Sequence, residues 1–386
     1  MAVVSGFLVL CPTAPGRFDG VADYACWLTA HLTAHAPARL IGLADAGPSS
    51  GAEDSPCRTR AARETLSSWR ELWARRREPV FSEGAALLQY VPQLYLPRLD
   101  FVWLLAWLVH VRLNRRAVVV TAHEYTVPAS GSITHAAASV LFRFVMFVLG
   151  VLATHVVATF ELNGRRLRRL LFWKAGRVMV VPVGSNIPRA PGATGSGPET
   201  VRDRVECVIF GQPSAMDPGL VTALGNWQHA RRDRVRVRWV GRSRHEVLSF
   251  WSDRCGLPAD ALEIVEAQPG PMVSGVLLES DLFLAPVADG VSTRRTTVMA
   301  ALAHGLPIVG TDGVCTDAAV RQPAACLLSA PDDPQPFLRH VEALVADGPR
   351  RARMGRAARA LFEERFTWER IALAYLAQLA PDARAR

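Results

Sequence analysis

The chain has 386 residues, more than the roughly 250 to 300 that usually share one hydrophobic core, so we expect two domains. Hydrophobic residues make up 50% and charged residues 20%, which excludes long disordered segments. The net charge of +9 favours an anionic partner, but the arginines occur in scattered pairs outside any nucleic-acid-binding module, so nucleic acid is not expected.

The first half alternates apolar, strand-like runs with helical segments. This is the βαβ rhythm of a parallel sheet. The polar stretch 43–66 is interpreted as a surface excursion. The 7 cysteines are never spaced as C-x-x-C, which indicates a reduced, cytoplasmic protein. Strands are predicted within residues 5–11, 38–43, 86–91, 117–125, 155–160 and 178–184.

Residues 136–153 are almost continuously apolar and approach the length of a membrane-spanning helix. Arg143 interrupts the run, and a charge at mid-bilayer costs at least about 2.5 kcal/mol. A buried or interfacial helix is therefore favoured over a spanning one. With residues 101–110 it could form an apolar face that rests on a membrane. We keep peripheral contact with an anionic membrane, at the inner face of the plasma membrane, as an open prediction.

After a Pro-, Gly- and Ser-rich stretch the rhythm restarts, with strands predicted within residues 207–211, 234–241, 262–267, 281–286 and 306–311. The predicted fold is α/β, with two Rossmann-like, doubly wound parallel sheets facing a central cleft. The domains are predicted at 1–188 and 201–365, with a linker at 189–200 and a C-terminal helix within 366–386.

Asp289 to Thr311 form the most informative segment, because a strand, a Gly-containing turn and a helix start come together there. Free N–H groups and a positive helix end suit a diphosphate. Arg294 and Arg295 would neutralise its charge, and Asp289 could accept from sugar hydroxyls. The alternative is a solvated arginine pair at an ordinary helix start. Further donors to the ligand are predicted at Gly290, Val291, Ser292, Thr296 and Thr297.

Several separated segments resemble the retaining GT-B glycosyltransferases of glycosyltransferase family 4, in the subset with D-G-V-S-x-R-R. The likeness lies in DGVADYA, LLQYVPQLY, TAHEYT, VPVGSNIP and the block DLFLAPVADGVSTRRTTVMAALAHGLPIVGTDG. FTWERIALAYL at 366–376 resembles the helix with which these enzymes close the chain, often crossing back onto the first domain. The resemblance covers nearly the whole length.

The resemblance implies roles for three residues of the first domain. Gly20 lies in a loop that approaches the donor diphosphate, although a single glycine is otherwise read as a turn. His123 matches the active-site histidine that faces the donor sugar, although a histidine at a strand end is more often structural. Glu124 orients the loop, meets the acceptor or simply caps a helix.

Two departures from the family pattern matter. The second motif glutamate is replaced by Ala300, and the loop GQPSAMDPG at 211–219 lacks the usual arginine and lysine. Arg242 and Arg244, or the pair Arg294 and Arg295, must then neutralise the leaving group. No D-x-D pair follows a strand, so neither a metal nor another cofactor is expected.

The resulting prediction is a metal-independent, retaining glycosyltransferase that uses a nucleoside-diphosphate sugar as donor. Its acceptor is an unidentified glycan, glycolipid or secondary metabolite. A sugar-nucleotide epimerase would need carboxylates placed for elimination, and the sequence lacks such a set. A catalytically lapsed homologue that serves as a binding partner or scaffold stays open as the alternative.

Overall fold

The computed structural model describes residues 6–12, 20–44, 62–96, 99–124, 133–189, 204–266 and 270–379. The chain divides into two compact units, Met1–Pro182 with Trp368–Arg386, and Val183–Thr367. The first domain was predicted to end at residue 188, but Val183 already belongs to the second unit, where its N–H donates to the carbonyl of Thr293 at 3.0 Å. Most of the predicted linker, residues 190–200, lies outside the described residues.

The first unit is built on a sheet of seven strands, all paired in parallel. Its order is β3-β2-β1-β4-β5-β6-β7, so the chain reverses direction across the sheet between β1 and β4. The central strands are apolar and buried, as expected of a parallel sheet covered on both faces. The strands are Phe7–Leu10 (β1), Ala38–Leu43 (β2), Ala62–Leu66 (β3), Ala85–Tyr90 (β4), Val118–Ala122 (β5), His155–Ala158 (β6) and Val178–Val180 (β7).

Helices connect these strands. The helices that follow β4 and β5 pack against each other, as expected when right-handed crossovers place both on one face of a sheet. A 3₁₀ segment, Phe172–Arg177, leads into β7. The helices are Gly20–Leu32 (α1), Trp69–Ala74 (α2), Pro79–Ser82 (α3), Pro92–Tyr95 (α4), Phe101–Leu113 (α5), Ile133–Leu152 (α6) and Glu161–Leu170 (α7).

The interpretation of residues 43–66 as a surface excursion was wrong at its end. β3 pairs with β2, so that Leu66 lies beside Leu43. Because β3 is an edge strand in which only Leu66 is buried, its sequence shows no apolar alternation. Glu64 instead forms ion pairs with Arg39 and Arg75. Residues 45–61 lie outside the described part of the chain.

The second unit contains six parallel strands in the order β10-β9-β8-β11-β12-β13. The reversal between β8 and β11 is the switch point at which doubly wound sheets bind ligands, outside the carboxyl ends of the strands. The short edge strand β13 was not predicted. The strands are Val205–Phe210 (β8), Val235–Gly241 (β9), Glu263–Glu266 (β10), Leu282–Ala285 (β11), Ile308–Thr311 (β12) and Cys326–Ser329 (β13).

Helices cover this second sheet, and side-chain caps begin several of them. Asp217 accepts from the N–H of Leu220, and Asp347 from that of Arg350. The helices are Pro218–His229 (α8), Arg244–Ser249 (α9), Gly270–Glu279 (α10), Thr296–Ala303 (α11), Pro334–Ala346 (α12) and Gly348–Arg365 (α13).

The last helix, Trp368–Leu379 (α14), belongs to the first unit and packs on α1. The ring of Trp368 stacks on Trp27 with centroids 6.3 Å apart. The hydroxyl of Tyr375 lies 3.0 Å from that of Tyr24 and 2.6 Å from that of Thr121. These buried contacts join the end of the chain to α1 and β5.

Candidate active site

The turn after β11 presents two arginines and one carboxylate. Gly290 adopts a φ of +95°, which lets the chain reverse before α11 begins. The backbone carbonyl of Asp289 accepts from the N–H of Cys315 at 2.9 Å. Because the turn follows the carboxyl end of β11, it lies at the ligand-binding edge of the sheet. We call Asp289–Arg295 the arginine turn.

The carboxylate of Asp289 forms ion pairs with both Arg294 and Arg295. One of its carboxylate oxygens accepts from Arg294 and the other from Arg295. Burial raises the pKa of Asp289, but the positive charges of Arg295 and Arg294 outweigh that effect, so its pKa is lowered overall. The carboxylate is therefore ionised at neutral pH and offsets about one of the two positive charges. The cluster retains a net positive charge that favours an anion.

The buried carboxylate of Asp317 holds the backbone of the arginine turn in place. Asp317 accepts from the N–H of Thr293 at 2.6 Å and from its hydroxyl at 2.7 Å. Asp317 is 1% exposed and Thr293 is 3% exposed. These charge-assisted hydrogen bonds fix the backbone immediately before the arginine pair. Sequence reasoning missed both residues, because they are separated by 24 positions and Asp317 belongs to no motif.

The other predicted ligand-binding residues of this turn differ in accessibility. Val291 is buried and donates its N–H to the carbonyl of Thr311 at 2.9 Å, so that amide is already used by the fold. Ser292 is completely buried, and its Oγ has no hydrogen-bond partner among the described residues. Thr296 and Thr297 are half-buried in the first turn of α11, where N–H groups have no acceptor within the helix.

The neighbouring strands bring further predicted residues to the same edge. Arg242 follows β9 and Arg244 begins α9, and both side chains are exposed. β9 pairs with β8, and β8 with β11, so their carboxyl ends lie side by side. Ala300, at the position of the missing glutamate, is fully buried. Arg242 and Arg244 therefore supply positive charge at this edge, whereas the loop after β8 contains neither arginine nor lysine.

In the first unit, His123 follows β5 at the corresponding edge of its sheet. Its N–H donates to the carbonyl of Tyr90 at 3.1 Å. Its Nε2 lies 3.0 Å from Oε1 of Gln89, and its ring meets the ring of Tyr24 edge-on at 4.9 Å. With Oε1 of Gln89 as the acceptor, Nε2 donates and Nδ1 is left as an acceptor. Burial lowers the pKa of His123 to about 4, so the imidazole is neutral at pH 7.

Glu124 and Gly20, the other predicted residues of the first unit, are exposed. Gly20 is the first residue of α1, and a Cβ added there would meet nothing within 4 Å. The fold of the chain therefore does not itself require a glycine at this position. Among the residues that the structure describes, no group of three or more His, Cys, Asp or Glu side chains could hold a metal ion.

The lowered pKa of His123 predicts an acid-sensitive contribution to stability. The unfolded state binds a proton near pH 6.5, whereas the folded state does so only near pH 4, so the contribution is complete above pH 6.5 and is lost as the pH falls towards 4. At pH 5 we expect the loss to be roughly 2 kcal/mol. In urea titrations at pH 8 and pH 5, His123→Gln should therefore lose less stability than the wild type.

His245→Gln is the matched control, because this histidine is exposed on α9. Its loss of stability between pH 8 and pH 5 should equal that of the wild type. If His123→Gln also showed the same loss as the wild type, the imidazole would not be held neutral by burial.

Comparison with known proteins finds a family match within the second unit. Residues 203–347 match the family model described as Glycosyl transferases group 1. The match spans β8 to α12 and includes the arginine turn. No curated protein sequence matches the chain significantly.

Similar solved structures extend over almost the whole chain. Sucrose-phosphate synthase from Thermosynechococcus elongatus superposes with a TM-score of 0.69 at 16% identity, covering 97% of this chain and 98% of that one. Anabaena HepE in complex with UDP and glucose gives 0.68 at 16% identity, covering 97% and 99%. WaaG, a glycosyltransferase involved in lipopolysaccharide biosynthesis, gives 0.61 at 12%, covering 96% and 98%.

The chain has the GT-B fold. The predicted fold class of two parallel-sheet α/β domains is thereby confirmed. In the GT-B protein, the arginine turn belongs to the part that matches the family model, whereas His123, Glu124 and Gly20 lie in the other unit.

Proposed function

We propose that this protein is a glycosyltransferase that moves a sugar from a nucleoside diphosphate to an acceptor hydroxyl. The arginine turn carries the proposal. It places two guanidinium groups and the start of α11 at the ligand-binding edge of a segment that matches the group 1 glycosyltransferases. An anion that departs with two phosphates needs such a concentration of positive charge.

Donor binding would proceed by exchange of partners. The diphosphate takes the place of Asp289 on Arg294 and Arg295, and the N–H groups of Thr296 and Thr297 bind the same anion. Asp289, released from at least one arginine, then accepts a hydrogen bond from a sugar hydroxyl. Arg242 supplies further positive charge from the adjacent strand end.

The proposed reaction retains the configuration of the sugar and uses no metal. The bond between the anomeric carbon and the diphosphate breaks, and the acceptor oxygen attacks from the same face. The departing phosphate oxygen takes the acceptor proton, so no carboxylate nucleophile is required. Neutral His123 would face the sugar and accept a hydrogen bond at Nδ1, while Glu124 meets the acceptor.

The proposed donor is a uridine diphosphate sugar. HepE, which has the same fold, was crystallised with UDP and with UDP-glucose, and this supports UDP-glucose as the first donor to test. The proposed acceptor is a glycan, glycolipid or secondary metabolite. The proposed location is the cytoplasm, because the 7 cysteines are odd in number, far apart in the sequence and never spaced as C-x-x-C.

The test is a panel of UDP-, GDP-, ADP- and dTDP-sugars, in which release of the nucleoside diphosphate is measured with and without EDTA. We expect slow hydrolysis of one donor, at a rate unaffected by EDTA, and an increase in melting temperature with the matching nucleotide. If no donor is hydrolysed and no nucleotide changes the melting temperature, the proposal fails and the protein is a binding partner or scaffold. Nucleotide binding without hydrolysis would also indicate a lapsed enzyme.

A further inference from the structure

The outer side of α6 is apolar along most of its length. Its inner side packs into the core of the first unit through residues such as Met146 and Leu149. The outer residues recur at helical spacing, which places them on one side of the helix, and Phe144 is 63% exposed. The exposed apolar residues of α6 are Val140, Leu141, Phe144, Phe147 and Val151.

Two aromatic residues extend this surface. The ring of Trp173 lies edge-on to Phe147 with centroids 5.1 Å apart, and it also contacts the ring of Phe172. Phe172 is 75% exposed. We call these two residues together with the five exposed residues of α6 the α6 face. A contiguous apolar surface of this kind marks an interaction site rather than ordinary exposed surface.

Basic groups border the α6 face. The ammonium of Lys174 donates to carbonyls at the end of α6, those of Gly150, Val151 and Ala153. Burial lowers the pKa of Lys174, and the positive charges of Arg112 and Arg177 lower it further. Arg177 is exposed in the same 3₁₀ segment as Phe172, and Arg112 is exposed in the last turn of α5, which packs on α6. Arg143 is exposed three residues after Val140, beside the apolar stripe.

The topology argues against a helix that crosses a bilayer. By length and composition alone, residues 135–152 could span a membrane, and only 28% of them are buried. However, α6 is the crossover between β5 and β6, which pair so that Val119 lies beside His155. A spanning α6 would carry this sheet, with its polar strand ends and loops, into the hydrocarbon. The helix can instead lie flat and bury only its outer side.

We propose that the α6 face docks on an anionic membrane surface. Exposed Phe and Trp side chains would enter the headgroup region, while Arg143, Arg112 and Arg177 contact lipid phosphates. Charge complementarity favours this occupant over a second copy of the chain, because two such faces would bring like charges together. The inference goes beyond the proposed glycosyl transfer, and it can succeed or fail independently of it.

The experiment measures sedimentation of the full chain with vesicles of phosphatidylcholine, alone or mixed equally with phosphatidylglycerol. Binding should be strong to the anionic vesicles and weaker to the neutral ones. Phe144→Ser combined with Phe172→Ser should lower the bound-to-free ratio by at least about tenfold on both. Arg143→Gln should lower it by about fivefold on anionic vesicles only.

Met272→Ser is the matched control, because Met272 is a 50% exposed apolar residue on α10 of the second unit. It should leave vesicle binding unchanged. Because Phe144 and Phe172 are exposed, their variants should keep the wild-type melting temperature. A loss of vesicle binding would then come from the changed surface and not from unfolding. The protein should also be released from membranes by carbonate.

Three outcomes would overturn the proposal. The first is the absence of binding to anionic vesicles, and the second is undiminished binding of the double phenylalanine variant. The third is retention in the membrane pellet after carbonate, which would show a spanning helix. A dimer in sedimentation velocity that the double variant dissociates, without vesicle binding, would instead assign the α6 face to self-association.

Discussion

Donor hydrolysis will fall by at least about a hundredfold when Arg294 and Arg295 are both replaced by alanine. Both guanidinium groups already converge on one carboxylate, that of Asp289, so they are positioned to converge equally on a diphosphate. Negative charge on the leaving group grows towards the transition state, and kcat should therefore fall more than KM rises. The measurement is steady-state release of nucleoside diphosphate from the donor identified in the panel.

Two matched variants sharpen this test. Lysine at both positions keeps the charge but loses the planar, bidentate contact, so the rate should be intermediate. Arg353→Ala removes an exposed arginine from α13 and should leave the rate unchanged. The double alanine variant should keep nearly the stability of the wild type, because partly exposed ion pairs contribute about 1 kcal/mol or less. A wild-type rate in that variant would remove the arginine turn from the active site.

The strands that the sequence predicted correctly are those whose signal is local. β1, β5 and β11 lie in the interior of a sheet and are buried on both faces, so each is a run of consecutive, mainly apolar residues that the sequence shows directly. β3 lacks this signal because it is an edge strand, stabilised by backbone pairing and by the ion pairs of Glu64. β13 also lies at the edge of its sheet. An edge position does not by itself hide a strand, because the edge strands β7 and β10 were predicted from apolar residues of their own.

The candidate site shows the same division. The residue types of the arginine turn could be predicted, because strand, glycine, arginines and helix start are consecutive. The partners that hold the site in place could not, since Asp317 lies 24 positions from Thr293 and Tyr375 lies 351 positions from Tyr24. The sequence also did not predict which residues of the turn are accessible to solvent. Ser292 and Val291 have the composition of a ligand loop, yet only the packed structure shows that both are buried.

Replacing Gly290 by alanine should destabilise the second unit by about 2 to 4 kcal/mol. A φ of +95° is strained for any residue with a Cβ. The added Cβ would also contact Thr316 Oγ1 and the N of Gly313, and it would lie 2.8 Å from Gly313 Cα. Because part of this obstacle is backbone, it cannot move as a flexible side chain would. The measurement is the urea midpoint, with hydrogen exchange of β12 amides to assign the loss to this unit.

Gly275→Ala is the control, because Gly275 lies inside α10 and its added Cβ would meet nothing within 4 Å. Alanine is the better helix former, so this variant should equal the wild type or gain up to about 1 kcal/mol. Donor hydrolysis should be lost in Gly290→Ala at temperatures where the protein is still folded, since the backbone of Asp289 packs against the same Gly313. Equal stability of the two variants would mean that the turn can change its φ without lowering the free energy of unfolding. The close packing of Gly290 on Gly313 would then not be what positions Asp289 and the two arginines.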